Sequence, residues 1–170
     1  MWNSWGEYVT HYLVDHDDPD TGRTAHNVCE RGAILSSADG TIWGATPGFK
    51  LEYYDISIPT QGGNSTMHRV DELADLMSTF GADGRPPSHG IRLMREVYQV
   101  VHFDPDRGLM YLKRNGGGAC VAKTNSAFVI ATFRSDLKTT TYQGDEVPQN
   151  FGLVNRCCEA LQKVLIEAGM

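Results

Sequence analysis

The sequence lacks the features of a membrane or secreted protein. Its 170 residues contain no apolar run near the ~20 residues that a helix needs to cross a bilayer. Aromatic and polar residues stand where a signal peptide would have a basic and then an apolar segment, so no signal peptide is expected. The formal net charge is -6, and a dominant basic surface for nonspecific nucleic-acid binding is not expected.

Catalytic and metal-binding patterns are also missing. No G-x-S-x-G, H-E-x-x-H or C-x-x-C-H motif occurs, and the glycines at 116–118 lack the lysine of a phosphate-binding loop. The acidic segment that starts at Asp15 fails as a calcium loop, because Asp20 and His26 occupy the positions that need Gly and Glu. The four cysteines have neither zinc nor redox spacing, which favours reduced, partly buried thiols: Cys29, Cys120, Cys157 and Cys158. We therefore predict no enzyme activity, no cofactor and no metal.

Aromatic residues near the start of the chain are its most informative feature. Ser4 and Glu7 form a capping box that begins a helix running to about Asp15, with Trp5 and Tyr8 one turn apart on it. Asp39-Gly40 predicts a hairpin with a primed turn, and Trp43 lies on its second strand. Large rings with a polar tip suit recognition surfaces. The alternative is that these rings join Val9, Tyr12 and Leu13 in the core.

The remaining pattern predicts an α+β fold in a single domain. An amphipathic helix, four strands and a final helix follow in that order, while 47–66 is irregular except for a short strand near 55–58, and 135–149 is a loop. Consecutive strands with short turns indicate an antiparallel sheet, which helices can cover on both faces. The predicted ranges are 70–80 for the helix, 97–103, 109–113, 119–123 and 127–133 for the strands, and 150–168 for the final helix.

Three blocks of the chain resemble the profilin family. They are residues 4–13 with 32–48, residues 90–133 with the Lys113-to-Cys120 glycine bend and the Lys123-Thr124 turn, and residues 152–170. The resemblance implies a central antiparallel sheet with the N- and C-terminal helices on one face and a further helix on the other. It also implies that the chain carries insertions near 15–31, 51–67 and 134–149.

In profilins, aromatic residues of the terminal helices and first hairpin form a groove for polyproline. A proline-rich segment already forms a polyproline II helix, so docking on flat rings costs little entropy. Val164 stands where relatives usually have Tyr or His, so one ring of the groove is missing. The implied polyproline-binding residues are Trp5, Tyr8, Trp43, Leu165 and Met170.

The resemblance also implies a separate surface for monomeric actin, in which local basic charge complements an acidic partner. A solvated sheet edge is the alternative interpretation of these cations. Lys113, Arg114 and Arg156 are expected to share one face, whereas Val97 and Ala160 depart from the family pattern. The implied actin-binding residues are Gln99, His102, Lys113, Arg114, Lys123, Gly152, Asn155, Arg156 and Glu159.

The leading functional hypothesis is a monomeric, cytoplasmic and cytoskeleton-associated protein that binds actin monomers and regulates their polymerisation. It would link monomers to proline-rich proteins such as formin-type assembly factors. The second hypothesis is a proline-motif adaptor with weak or no actin binding. The third is a small-molecule or lipid-sensing domain, which a closed cavity among Trp5, Tyr8 and Trp43 would favour. Phosphoinositides are a minor candidate ligand, because the net charge of -6 disfavours them.

Overall fold

A seven-stranded antiparallel sheet organises the molecule. A computed structural model describes residues 4–170. Its strands are β3 (Arg31–Ser36), β4 (Ile42–Ala45), β7 (Ile91–Leu93), β8 (Glu96–Asp104), β9 (Leu109–Arg114), β10 (Gly117–Lys123) and β11 (Ala127–Arg134). The strand order across the sheet is β4-β3-β11-β10-β9-β8-β7, with every neighbouring pair antiparallel.

Helices cover both faces of this sheet, as the profilin resemblance implies. On one face, α1 (Trp5–Val9) and α3 (Phe151–Glu167) pack over a core that includes Val9, Ile34 and Leu161. On the other face, α2 (Glu72–Gly81) packs through Leu76 over a second core. Because β10 is buried on both faces, its side chains are small or apolar throughout residues 118–122. The predicted fold class is therefore confirmed.

The first helix changes type partway along. Ser4 Oγ accepts a hydrogen bond from the Glu7 backbone N–H at 3.2 Å, so the predicted N-cap forms. The α-helix ends at Val9, and Thr10–Val14 form a π-helical turn that closes with the Asp15 N–H donating to the Thr10 carbonyl at 2.8 Å. The prediction of one α-helix to about Asp15 has the right extent and the wrong type in its second half. A π-helical turn is wider than an α-helical one and is found mostly as single turns, often at functional sites.

Each of the three segments expected to be insertions contains a short hairpin. These are β1 (His16–Asp17) with β2 (Thr24–Ala25), β5 (Tyr53–Pro59) with β6 (Ser65–Asp71), and β12 (Lys138–Thr140) with β13 (Glu146–Pro148). The prediction of a loop at 135–149 is wrong in this respect, and so is that of an irregular 47–66, except for its short strand near 55–58, which lies within β5. The strands of each hairpin pair with one another and lie outside the main sheet. They therefore lack the apolar run that marks a core strand.

The β3–β4 hairpin forms as predicted, but its turn is not a primed one. Gly40 has a positive φ of 75°, whereas Asp39 does not, and a type I′ turn needs both. The Ser36 N–H donates to the Thr41 carbonyl at 2.8 Å, and a bulge interrupts the pairing between Ile34 and Leu35. The longer loop and the bulge direct β4 towards the first helix.

Candidate functional site

Aromatic rings form a continuous row between the first helix and strand β4. The Trp43 and Trp5 ring centroids are 5.1 Å apart, Trp5 and Tyr8 are 5.7 Å apart, and Tyr8 and Tyr12 are 6.1 Å apart. The last two rings are nearly parallel, at 14°. All four side chains are half-buried against the core beneath them, so each keeps an exposed ring surface. The structure thus brings Trp5, Tyr8 and Trp43 together as predicted, in an open row.

Gly44 allows this row to form because the helix backbone lies directly on it. A Cβ atom built on Gly44 would lie 2.6 Å from both the C and O atoms of Trp5 and 2.9 Å from the Gly6 N atom. Real Cβ atoms do not approach backbone so closely. The absence of a side chain at Gly44 therefore sets the position of Trp5 against its neighbour Trp43.

The C-terminal helix supports the row in two ways. Leu165 is 2% exposed and belongs to the core below the rings, so it supports the groove and does not line it. Met170 is half-buried and packs against the same core, and its N–H donates to the Leu165 carbonyl at 3.0 Å. Val164 lines a cavity together with Tyr12, on the facing helix. The missing ring at Val164 thus lies opposite a ring that the sequence resemblance did not assign.

The aromatic row continues past Tyr12 into the β1–β2 hairpin. The His16 ring centroid is 5.6 Å from Tyr12 and 6.0 Å from Tyr142. His16 Nδ1 and the Tyr142 hydroxyl are hydrogen-bonded at 2.6 Å. The Arg156 guanidinium lies over the Tyr142 ring at 4.4 Å and pairs with Asp18 at 3.3 Å. These contacts fasten the β1–β2 hairpin to α3.

The buried environment of His16 favours its neutral form. Burial lowers the pKa of the imidazole, and the nearby positive charge of Arg156 lowers it further, against smaller opposing effects of Asp17 and Asp18. The Asp20 backbone N–H, the Thr21 hydroxyl and Arg156 hold the pKa of Asp18 below its usual value. At neutral pH the hairpin therefore carries an ionised Asp18 and an uncharged His16.

A second surface lies at the opposite edge of the sheet, on the same face as α3. Gln99 of β8 is directly opposite Lys113 of β9, and both are exposed. The exposed His102 ring lies 5.2 Å from Tyr111, whose hydroxyl donates to Glu159 of α3 at 3.3 Å. Arg107 also pairs with Glu159. Burial, with Glu159 contributing, raises the pKa of Tyr111 to about 12, so this hydroxyl remains a donor. We call Gln99, His102, Tyr111, Lys113 and Glu159 the β8–β9 patch.

Arg114 and Lys123 lie on the other face of the sheet. Side chains alternate along a strand, and Arg114 lies over the Tyr98 ring at 5.9 Å, within the core beneath α2. Its side chain is 16% exposed and pairs with Glu30 at 3.9 Å and Glu96 at 3.8 Å. Lys123 lies opposite Phe128, whose ring belongs to the same core.

The expectation that Lys113, Arg114 and Arg156 share one face is therefore wrong. Lys113 belongs to the β8–β9 patch, Arg114 lies on the α2 face, and Arg156 turns towards the β1–β2 hairpin. Asn155 and the exposed Gly152 are in the first turns of α3. Asn155 Oδ1 is buried without a hydrogen-bond partner.

The described residues offer no grouping of three or more His, Cys, Asp or Glu side chains that could hold a metal ion. All four cysteines are free and buried. Burial raises the pKa of the Cys157 thiol to about 12, and the thiols of Cys29 and Cys158 are shifted upwards for the same reason. Such thiols are protonated and poor nucleophiles at neutral pH. Across residues 4–170, no helix is both long and apolar enough to cross a membrane.

Sequence reasoning placed Tyr12 beside Trp5 and Tyr8 only as a candidate for the core, and it missed His16, the last member of the aromatic row. Their spacing is a usable signal, because Tyr8, Tyr12 and His16 follow one another at intervals of four residues. It also missed Gln162, which is 6% exposed and donates through Nε2 to the carbonyls of Arg107 at 2.7 Å and Lys123 at 3.0 Å. This amide fixes α3 to two turns of the sheet, and nothing in the local sequence marks it.

The fold and the two surfaces define a small α+β protein with an open aromatic groove at one edge of its sheet and a polar patch near the other. Comparisons with known proteins identify the class. A family model described as Profilin matches residues 3–170. A profilin from Tetrahymena pyriformis is 37% identical over 169 residues, covering 98% of this chain and 99% of the relative.

Solved profilin structures share the fold. Acanthamoeba castellanii profilin IA superposes with a TM-score of 0.63 at 20% identity, covering 98% of this chain and all of that one. Mouse profilin IIa, solved in complex with a double repeat from the FH1 domain of mDia1, has a TM-score of 0.57 at 16% identity, covering 99% of this chain and 100% of that one. The chain belongs to the profilin family, whose members are actin-binding proteins of the cytoskeleton without catalytic activity.

Proposed function

We propose that this profilin binds proline-rich segments along the row Trp43–Trp5–Tyr8 and binds actin monomers through the β8–β9 patch. The observation that carries the first part is the open, half-buried row of rings with centroids 5–6 Å apart. Each ring offers a flat surface to pyrrolidine rings, and the indole N–H and phenol O–H groups can donate to proline carbonyls, which no proline N–H satisfies. The mouse relative that was solved with an FH1 repeat supports a formin-type partner.

The openness of the row argues against a small-molecule sensor. Such a function requires a cavity enclosed by the rings, whereas Trp5, Tyr8 and Trp43 are each half-exposed and adjoin the surface. An exposed row of amphipathic rings is instead suited to an extended peptide. We therefore favour linkage of actin monomers to proline-rich assembly factors.

The β8–β9 patch supports actin binding with fewer free cations than the sequence implied. Lys113 is exposed beside Gln99 and His102, while Glu159 supplies an acceptor already held by Arg107 and Tyr111. An acidic partner would meet Lys113 first, and the mixed polar groups around it would set the register. Arg114 and Arg156 are engaged in ion pairs within the protein and are not part of this patch.

The ion pairs that Arg114 and Arg156 make within the protein favour one alternative, a proline-motif adaptor with weak actin binding. Two of the cations expected at the actin surface are directed elsewhere, so the electrostatic attraction for an acidic partner is smaller than the sequence suggests. Sedimentation or pyrene-actin assays with the purified protein separate the two functions. Sequestration of monomers supports the actin-binding function, and its absence alongside proline binding supports the adaptor.

The proline site is tested by Trp5→Ala. Loss of this ring should weaken binding of an oligoproline peptide by about 2 kcal/mol, as loss of an aromatic anchor typically does. Titration calorimetry with wild type and variant measures this change. Tyr53→Ala is the matched control, because Tyr53 is 62% exposed on the β5–β6 hairpin, outside the row. Equal affinity of Trp5→Ala and wild type would contradict the assigned site. If neither protein bound oligoproline, the proposed function would be wrong.

A further inference from the structure

The cavity beyond Tyr8 lies between the π-helical turn, the first inserted hairpin and α3. It has a volume of about 480 Å³, within the range of pockets that take ligands. Tyr12 and His16 line one side, Ala160 and Val164 line the other, and Pro19 of the inserted segment contributes to the wall. Small side chains on α3 opposite two rings leave this space open.

The cavity is continuous with the aromatic row. The Tyr12 ring stacks on Tyr8 at 6.1 Å and 14°, so it presents the same kind of surface as the rings before it. His16 follows at 5.6 Å and is 5% exposed, so with its hydrogen-bonded partner Tyr142 it closes the end of the row. A polyproline II helix rises ~3.1 Å per residue, and the two steps from Tyr8 to His16 therefore have the length of roughly four residues.

The charges around the cavity indicate an uncharged occupant. Arg156 is paired with Asp18 at 3.3 Å, and Lys163 lies 4.0 Å from Glu167 on the next turn of α3. Asp17 accepts a hydrogen bond from the Thr24 hydroxyl. The charged side chains that line the cavity are two acids, Asp17 and Glu167, and two bases, Arg156 and Lys163, so the lining has no excess of either sign to favour an acidic or a basic peptide. Rings and small aliphatic side chains are suited to more proline.

We propose that the proline groove of this protein extends past Tyr8 into this cavity and takes about four further residues of the same proline-rich segment. Tyr12 supplies the additional stacking surface, and the inserted hairpin with His16 sets the end of the site. This inference rests on the proposed proline-binding function and adds a preference for segment length. The ring lost at Val164 is replaced by Tyr12 from the facing helix.

The experiment compares hexaproline with decaproline on wild type, Tyr12→Leu and Ala160→Phe. Leucine keeps the packing of Tyr12 on the core and removes its flat ring, while phenylalanine at 160 fills the cavity without touching Trp5 or Tyr8. We expect each variant to bind decaproline roughly three- to tenfold more weakly than wild type, the range expected for one lost ring contact. Hexaproline affinity should stay within twofold for both variants, and Tyr53→Ala should match wild type with both peptides.

A second measurement uses the amide NMR shifts of ¹⁵N-labelled protein. These shifts do not depend on how many registers a long peptide can adopt. Decaproline should shift the backbone amides of Ala160, Lys163 and Val164, and hexaproline should leave them in place. Equal losses of affinity for hexaproline and decaproline in the variants, or no decaproline-specific shifts at these amides, would contradict the extension. Neither result would contradict the groove formed by Trp43, Trp5 and Tyr8. Wild type that binds neither peptide would overturn the proposed function and the extension together.

Discussion

At the scale of single residues, the Glu72 side chain organises the turn between β7 and β8. Its carboxylate is fully buried and accepts from the Tyr54 hydroxyl at 2.7 Å and from the backbone N–H groups of Met94 and Arg95 at 2.8 Å each. Met94 and Arg95 have φ values of 50° and 69°, a conformation that costs non-glycine residues about 1–3 kcal/mol each. Glu72 offsets this cost by binding both N–H groups.

At the residue scale, His16 leads to a prediction of how stability depends on pH. Burial and Arg156 lower its pKa in the folded protein, while Asp17, Asp18 and Tyr142 also contact or face it. Below the unfolded-state pKa of about 6.5, the unfolded chain binds a proton that the native state resists, so stability falls as the pH decreases through this window. Urea unfolding at pH 7.5 and 5.5 should show a smaller pH-dependent loss for His16→Gln than for wild type.

The control for this prediction is His102→Gln, which removes an exposed histidine in the β8–β9 patch. It should keep the wild-type pH dependence between pH 7.5 and 5.5. Asp18 contributes at lower pH, because its lowered pKa makes its stabilisation disappear below the usual carboxyl pKa near 4. The same slope in His16→Gln and wild type would contradict the assignment of this window to His16.

At the scale of elements, the contact between α1 and β4 determines the shape of the groove. Gly44→Ala would place a Cβ 2.6 Å from Trp5 backbone atoms, which cannot rotate away as a side chain would. The helix must move, and overpacking of this kind typically costs about 1–3 kcal/mol. We expect lower thermal stability and weaker oligoproline binding, measured by calorimetric unfolding and by peptide titration.

Gly6→Ala, on the α1 side of the same contact, is the matched control. A Cβ there would meet nothing nearer than the Ser4 Oγ at 3.9 Å, and alanine has a higher helix propensity than glycine by about 1 kcal/mol. This variant should be as stable as wild type or more stable, with its proline affinity kept. If Gly44→Ala behaved like Gly6→Ala, the close approach would not determine the position of α1.

The sequence predicts the elements that carry a strong apolar period, and it misses those that do not. α2, α3 and strands β8–β11 appear within a few residues of their predicted bounds, because the helices bury one apolar stripe and the central strands β10 and β11 are apolar and buried almost throughout. Strand β6 has no such period, since six of its seven residues are exposed or half-buried. The partners of His16 and Gln162 are distant in sequence, Tyr142 for the first and the turns at Arg107 and Lys123 for the second, so no local pattern encodes these contacts.

At the scale of the whole molecule, the sheet keeps the two surfaces apart. The aromatic row adjoins β4 at one edge, and the β8–β9 patch lies near the other, with β3, β11 and β10 between them. A short proline-rich segment bound in the proposed groove would therefore leave the β8–β9 patch free. Such an arrangement allows one molecule to hold an actin monomer and a proline-rich partner together, which is what linkage of the two requires.

This separation leads to the prediction for the actin surface. Lys113→Glu should slow actin association about tenfold at low salt, because the exposed lysine would change from attracting an acidic partner to repelling it. The effect should shrink as salt rises, since the Debye length falls to about 8 Å at 0.15 M. Oligoproline affinity should be unchanged.

Lys138→Glu makes the same change of net charge on the exposed β12–β13 hairpin and should leave association near wild type. Stopped-flow association at two salt concentrations measures both variants, and equal rates for them at low salt would contradict the β8–β9 patch as the actin surface and favour the adaptor function.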